Sequence, residues 1–321
     1  MDAPLFFGPY GAAAAEVADR IVACGGNALW FHGFDERLFE VCRKHGLSAC
    51  VEFPTFRADF AKQPNLVPIG VDGRPIRYGQ LVQGICLSQE EHLARIEEAL
   101  RAGVAAYRPA GIWLDYLAYA GWFETPDPDL QESCFCPACI ADFRKVTGVE
   151  TTDPRRILSE HGRRWTEHKC RRIAAFAERY ASIIREKLPA CPIGAYLCPW
   201  LPSEYDGALT RIFAQSYPLL APYIDGFTPL IYARKSGRGN DWGARFLAEA
   251  PGFVPAGRKV QLILDALDFP ECLTATAASD PPSWGFQVYG GAELFTDVEK
   301  AEVFRNAVQA VQSVVSRRTA R

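Results

Sequence analysis

The sequence predicts a single (β/α)8 barrel, on three observations. Short apolar, β-rich runs alternate with longer amphipathic ones, the alternation occurs eight times, and glycines follow several amphipathic runs where helices should stop. Strand–helix alternation with both faces covered requires a parallel sheet, and eight units is the count that closes one. The strand runs are 5–8, 28–32, 48–53, 111–117, 193–197, 226–232, 260–265 and 285–289. The helical runs, with apolar residues three and four apart, are 12–24, 36–45, 89–102, 168–188, 209–220, 245–250 and 298–315. Gly25, Gly26, Gly46 and Gly103 read as helix stops. An open doubly wound sheet would carry a glycine-rich phosphate turn after its first strand, and Gly8-Pro9-Tyr10-Gly11 is a poor one. The chain 1–321 is thus read as one barrel, with long loops after strand three (about 54–88) and strand four (about 118–167).

The balance of 35 basic and 38 acidic residues gives a formal charge of −3, which supplies no general field for phosphate backbones. The pairs Arg163-Arg164 and Arg317-Arg318 are too short to change that, so nucleic acid is excluded as the expected partner. No apolar run approaches the roughly 20 residues that cross a bilayer, and no membrane partner is expected. Met1-Asp2-Ala3-Pro4 lacks the basic head of a secretion signal. The expected location is cytoplasmic, or periplasmic or secreted where a leader has been removed, and a homo-oligomer stays open. The 11 cysteines, odd in number and scattered, do not read as a disulfide framework. Cys24, Cys42, Cys50 and Cys191 sit in apolar stretches as small core residues.

Barrels of this kind carry their chemistry at the carboxyl ends of the strands. Strand one ends in Tyr10, strand two in Trp30 and His32, strand three in Glu52, and strand four in Asp115 and Tyr116. Strand five ends near Tyr196 and Trp200, strand six in Tyr232, strand seven in Asp265 and Asp268, strand eight in Gln287, Tyr289 and Glu293. The result is an aromatic cup with carboxylates at its floor. Sugars offer C–H faces that stack on rings and hydroxyls that need acceptors, so a carbohydrate is the expected substrate. Glycoside cleavage needs two carboxyl groups, one to protonate the leaving oxygen and one to attack or to activate water. Asp115, after the buried-strand pattern Gly111-Ile112-Trp113-Leu114, is the candidate nucleophile, with Asp265 or Glu52 as acid/base. Tyr10, Trp30, His32, Tyr116, Tyr196, Trp200, Tyr232, Gln287 and Glu293 are the candidate substrate-binding residues. A barrel that keeps the cup but lacks a working carboxyl pair, and so binds carbohydrate without cleaving it, is the alternative. Arg234, Lys235, Arg238 and Arg245 raise the question of a basic edge to the cup, which would suit an acidic sugar.

Ser133-Cys134-Phe135-Cys136-Pro137-Ala138-Cys139 places three thiols within six positions, close enough to share a tetrahedral zinc ion. Cys86, in the loop of the adjacent unit, is the expected fourth ligand. A four-thiolate site is closed, so this zinc is expected to be structural, and no organic cofactor is expected. The five histidines form no His-x-His or His-x3-His pair, which argues against a histidine-rich metallohydrolase. No Gly-x-Ser-x-Gly elbow is present.

Val51-Glu52-Phe53-Pro54-Thr55-Phe56-Arg57, Pro68-Ile69-Gly70-Val71-Asp72-Gly73, Gly84-Ile85-Cys86 and Gly111-Ile112-Trp113-Leu114-Asp115-Tyr116, with the triple-cysteine run, resemble the glycosyl-hydrolase-like TIM barrels of bacterial genomes. The set Cys86, Cys134, Cys136, Cys139 is also similar to the zinc site of barrel-type β-galactosidases. The resemblance implies a barrel and a glycosidase-like site, with Asp115 where several α-glycosidase families carry their nucleophile. It departs from the β-galactosidases, whose acid/base glutamate follows an Asn after strand four. Here the segment reads Leu114-Asp115-Tyr116, so their mechanism and substrate do not carry over.

Overall fold

The computed structural model describes residues 5–76, 84–278 and 283–319. Nine parallel strand segments form its sheet: β1 (Phe6–Tyr10), β2 (Ala28–His32), β3 (Ser48–Pro54), β4 (Gly111–Asp115), β5 (Ile193–Leu197), β6 (Gly226–Ile231), β7 (Lys259–Val260), β8 (Leu262–Asp265) and β9 (Gly285–Tyr289). Consecutive strands pair from β1 to β6, β8 joins β6 to β9, and β9 pairs with β1, so the sheet closes. β7 and β8 are one broken stave, since both pair with β6 on either side of Gln261. The expected (β/α)8 barrel is the observed fold.

The helices are α1 (Ala18–Ala23), α2 (Glu36–His45), α3 (Glu90–Tyr107), α4 (Pro137–Thr147), α5 (Pro154–Lys187), α6 (Ala208–Arg211), α7 (Tyr217–Leu220), α8 (Trp242–Glu249), α9 (Glu271–Ala278) and α10 (Val298–Thr319). α2 starts where the Asp35 side chain accepts from the Leu38 amide and stops at Gly46, whose φ of 70° is left-handed. Gly103 is not a stop: it lies inside α3, where a Cβ would meet the Phe34 ring at 2.1 Å. Its lack of a side chain serves packing between helix and loop rather than termination. The region 118–167, expected as loop, contains α4 and the first half of α5, which Asp153 and Pro154 initiate and which kinks at His161. Part of the 54–88 loop, residues 77–83, lies outside the described residues.

The period of two along each strand sends one set of side chains into the barrel and the other against the helices. Inside, Phe6, Trp30, Trp113 and Trp284 pack edge to face or stacked, with centroids 5.2 to 6.2 Å apart. Glycine makes room for them, since a Cβ on Gly226 would sit 1.9 Å from Trp284 and one on Gly194 2.4 Å from Trp113. Each buried indole contributes on the order of 4–6 kcal/mol of apolar burial. The indole nitrogens need partners in this dry interior. Trp113 donates to Thr228 Oγ1 at 2.9 Å. Turned so that its carbonyl faces the indoles, the Gln287 amide lies 3.1 Å from Trp30 Nε1 and 3.2 Å from Trp113 Nε1, with its nitrogen 2.7 Å from the Tyr196 hydroxyl. This plug closes the barrel from below and supports the polar groups above it. Outside, the helices cover the second face with a continuous apolar layer that includes Phe7, Phe31, Val51, Ile112, Ile173, Ile184 and Phe286.

Candidate active site

Register explains why the acids meet. Glu52 pairs across the sheet with Trp113, and Pro54 with Asp115, so Glu52 and Asp115 occupy neighbouring staves just above the tryptophan layer. Their side chains share the inward direction, and the longer glutamate reaches up to the aspartate. The Glu52 carboxyl lies near enough for its charge to act on Asp115. Burial, and then the charge of Glu52, raises the Asp115 carboxyl well above the usual carboxylate range, against the opposing pull of the Tyr116 amide. That amide donates to Asp115 Oδ1 at 2.8 Å. Thr55 holds the Asp115 carbonyl through its own amide at 2.9 Å and its hydroxyl at 2.7 Å. Tyr116 itself has a φ of 56°, a conformation that non-glycine residues adopt rarely and that is often found beside reacting groups.

Glu52 is buried and gathers partners on one oxygen. Tyr10 donates its hydroxyl to Oε2 at 2.5 Å, and His32 Nδ1 lies 2.8 Å from the same atom. Oε1 is buried without a hydrogen-bond partner among the described residues. Burial, then the Glu52 charge, raises the Tyr10 hydroxyl far above an ordinary tyrosine, so it stays a donor. His32 is half exposed at the cavity and connects the buried pair to solvent.

These groups floor a cavity of about 470 Å³ at the carboxyl end of the barrel. Tyr10, His32, Glu52, Asp115, Tyr116, Tyr196 and Tyr232, all expected at the site, line it. The other expected residues lie elsewhere. Trp30 and Gln287 belong to the interior plug, because a strand's last inward residue need not clear the layer below the opening. Trp200 is buried in the loop layer among Tyr205, Phe213 and Phe123, and donors on that loop were indistinguishable in sequence from cavity-facing ones. Glu293 is exposed on a short 3-10 turn, Gly291–Phe295. Asp265 sits just behind the wall, 2.8 Å from Lys235 Nζ, and Asp268 is fully buried under Arg234.

The cavity also contains Tyr289, named at the end of strand eight, and four residues that the strand-end rule does not reach: Arg57, Trp122, Glu124 and Lys235. Glu124 comes from the loop after β4, where Gly121-Trp122-Phe123-Glu124 places an acid directly after two aromatic residues, the one local signal that marked it. Burial raises the Glu124 carboxyl above its ordinary range, with Lys235 opposing and the Asp265 charge adding. Lys235 lies 3.9 Å from Glu124 and packs over the Tyr232 and Tyr289 rings. Burial pulls the ammonium down, but its hydrogen bond to Asp265 together with the charges of Asp265 and Glu124 more than offsets this and raises it. The Tyr10 and Tyr289 rings stack at 5.4 Å, giving the cavity one aromatic wall.

On the same face, the Cys86, Cys134, Cys136 and Cys139 sulfurs lie within 4.8 Å of one another. Cys86 is 3.6 Å from Cys136 and 3.9 Å from Cys139, close to the roughly 3.8 Å edge of a tetrahedron with 2.3 Å metal–sulfur bonds. No disulfide joins them. Cys136 caps α4 and accepts from the Cys139 amide, and the Ile69 amide donates to Cys134, so backbone N–H groups support negative sulfur. The donor set and spacing are compatible with a four-thiolate metal centre.

No protein-family model matches the sequence, and no curated protein matches it. Solved structures do. The glycoside hydrolase domain of PgaB (BpsB) from Bordetella bronchiseptica superposes with a TM-score of 0.74 at 12% identity, over 95% of this chain and 99% of that one. The β-galactosidase of Rahnella sp. R3 gives 0.69 at 13%, over 98% of this chain and 57% of that one. The Marinomonas ef1 β-galactosidase gives 0.62 at 11%, over 98% and 60%. The chain thus spans less than two thirds of the galactosidases' length. At these identities what is shared is the fold: a parallel eight-stave barrel found in glycoside hydrolases, here with a four-cysteine cluster beside its open end.

Proposed function

We propose that the protein is a glycoside hydrolase acting on a small glycoside or oligosaccharide. The observation that carries this reading is the neighbouring carboxyl pair Asp115–Glu52, with Asp115 raised by burial and the Glu52 charge, at the floor of a sugar-sized, tyrosine-walled cavity. Glu52 and Asp115 stand on adjacent staves and act on the same side, as one acid. With its affinity for the proton raised, Asp115 is suited to protonate the leaving oxygen, and Glu52, fixed by Tyr10 and His32, returns the charge balance. The opposite role, base toward water or nucleophile, then falls to Glu124. It lines the same cavity, and its charge acts on Asp115 through space. Asp265 holds Lys235 against the tyrosine wall.

The cysteine cluster is read as a structural zinc site held by Cys86, Cys134, Cys136 and Cys139. Bound there, zinc would join the loop after β3 to the start of α4 and so brace the segment 116–124 that supplies Tyr116, Trp122 and Glu124. Four thiolates leave no open position, so substrate chemistry stays with the carboxyl groups.

The test is turnover of a panel of aryl glycosides, uronides included, with product anomer followed by NMR. Asp115→Asn should lower kcat by several orders of magnitude while ligand binding survives. Binding without any turnover in the unmodified protein would favour a carbohydrate-binding barrel instead.

A further inference from the structure

Among the described residues, each basic group lining the cavity has a carboxylate partner except one. His32 lies 2.8 Å from Glu52, and Lys235 lies between Asp265 and Glu124. Arg57 lines the cavity with its guanidinium over the Tyr116 ring, 5.8 Å from the centroid. Among the described residues no carboxylate lies within ion-pair reach of it, and no acceptor takes any of its five N–H donors. The stretch 77–83, outside the described residues, contains no Asp or Glu that could serve. The basic residues that the sequence singled out do not compete for this role. Arg234 is paired with Asp268, and Arg238 with Glu204 while it covers Trp242.

An arginine stacked on one ring face keeps its fork of N–H groups free at the edge, and that fork matches the two oxygens of a carboxylate. Burial and the Glu52 charge raise the neighbouring Asp115 carboxyl well above the carboxylate range, so an incoming anion does not meet two full negative charges. We infer that Arg57 selects glycosides bearing a carboxylate, and that the substrate class of this cavity is the uronic-acid glycosides. This inference rests on the glycoside hydrolase reading of the same site.

The experiment measures binding by calorimetry, with methyl glucuronides and galacturonides of both anomers against the matching neutral methyl glycosides. The proteins are the wild type, Arg57→Gln and Arg57→Lys, each checked for native circular dichroism. Arg57 is exposed, so neither change removes core packing. At least one uronide should bind more tightly than its neutral counterpart, and Arg57→Gln should weaken it roughly ten- to hundredfold, the range of a charge-assisted bidentate contact. Arg57→Lys should recover part of that loss, and the neutral glycosides should change by less than about threefold. Neutral glycosides that bind and are cleaved while uronides are not would overturn the Arg57 assignment and leave the hydrolase reading standing. An equal loss for charged and neutral ligands in Arg57→Gln would also overturn it. If no glycoside of either kind binds the folded wild type, the hydrolase reading itself fails and takes this inference with it.

Discussion

Replacing Asp115 by Asn should stabilise the fold while it removes activity, and the two effects come from one cause. In the native protein Asp115 binds its proton far more tightly than in the unfolded chain, because it is desolvated and lies against Glu52. The sign follows. A carboxyl whose folded pKa is raised contributes no penalty below its unfolded value near 3.8, and costs stability as pH rises toward the folded value. The slope over that window is up to about 1.4 kcal/mol per pH unit. A ceiling comes from Coulomb's law. Two full charges about 4 Å apart at an effective dielectric constant of 20 repel by about 4 kcal/mol, and an Asp115 held protonated by its surroundings avoids part of this. Asn keeps the shape, keeps its oxygen for the Tyr116 amide, and carries no charge beside Glu52. The variant should therefore gain about 1–4 kcal/mol at pH 8, and the gain should shrink toward zero near pH 4. Urea titrations of both proteins at each pH from 5 to 8, compared at constant m, measure it. A variant less stable than wild type at pH 8, or a difference that does not vary with pH, would refute the raised-carboxyl account.

Other consequences follow from the same geometry. Glu124→Gln should reduce kcat at least about a hundredfold with little change in stability, since the residue lies on a cavity loop; a rate within about twofold of wild type would remove Glu124 from the reaction. Protein purified without chelators should contain one zinc per chain by emission spectroscopy, and Cys134→Ser should lose it together with protection of 116–139 from proteolysis; full protection without metal would show that the thiols alone hold the loop. His168 is buried beside Phe143 and Trp165, and burial pulls it down to about 4. Its neutral form is the native one, so its contribution is intact above about 6.5 and is lost as pH falls through about 4. His168→Gln should flatten the acid limb of the stability curve over that range, and an unchanged limb would contradict it.

The fold was legible because parallel strands covered on both sides must be apolar throughout, and helices on a barrel must show a 3.6-residue period. All eight staves fall on runs visible in the sequence, with edges differing by a few residues. Gly103 shows the limit of local reading. A glycine near the end of an amphipathic run looks the same whether it stops a helix or admits the Phe34 ring. Helix α4 was obscured for a different reason: its first turn is built from the Cys-Pro-Ala-Cys sequence that reads first as a metal motif.

The open end of the barrel was legible only as far as the strand ends go. The chain alone determines that Tyr10, His32, Glu52, Asp115, Tyr116, Tyr196 and Tyr232 come to one mouth, because strand direction in a closed barrel is dictated by hydrophobic pattern. Which carboxyl groups touch, which aromatic rings drop into the plug, and which loop acids enter the cavity depend on register and loop packing. Those follow from contacts between residues far apart in sequence, such as Glu52 with Asp115, Glu124 with Lys235 and Gln287 with Tyr196. No local pattern encodes such contacts, so only the tertiary structure decided that Asp115 and Glu52 meet at the cavity floor and that Arg57 faces the cavity without a counter-charge.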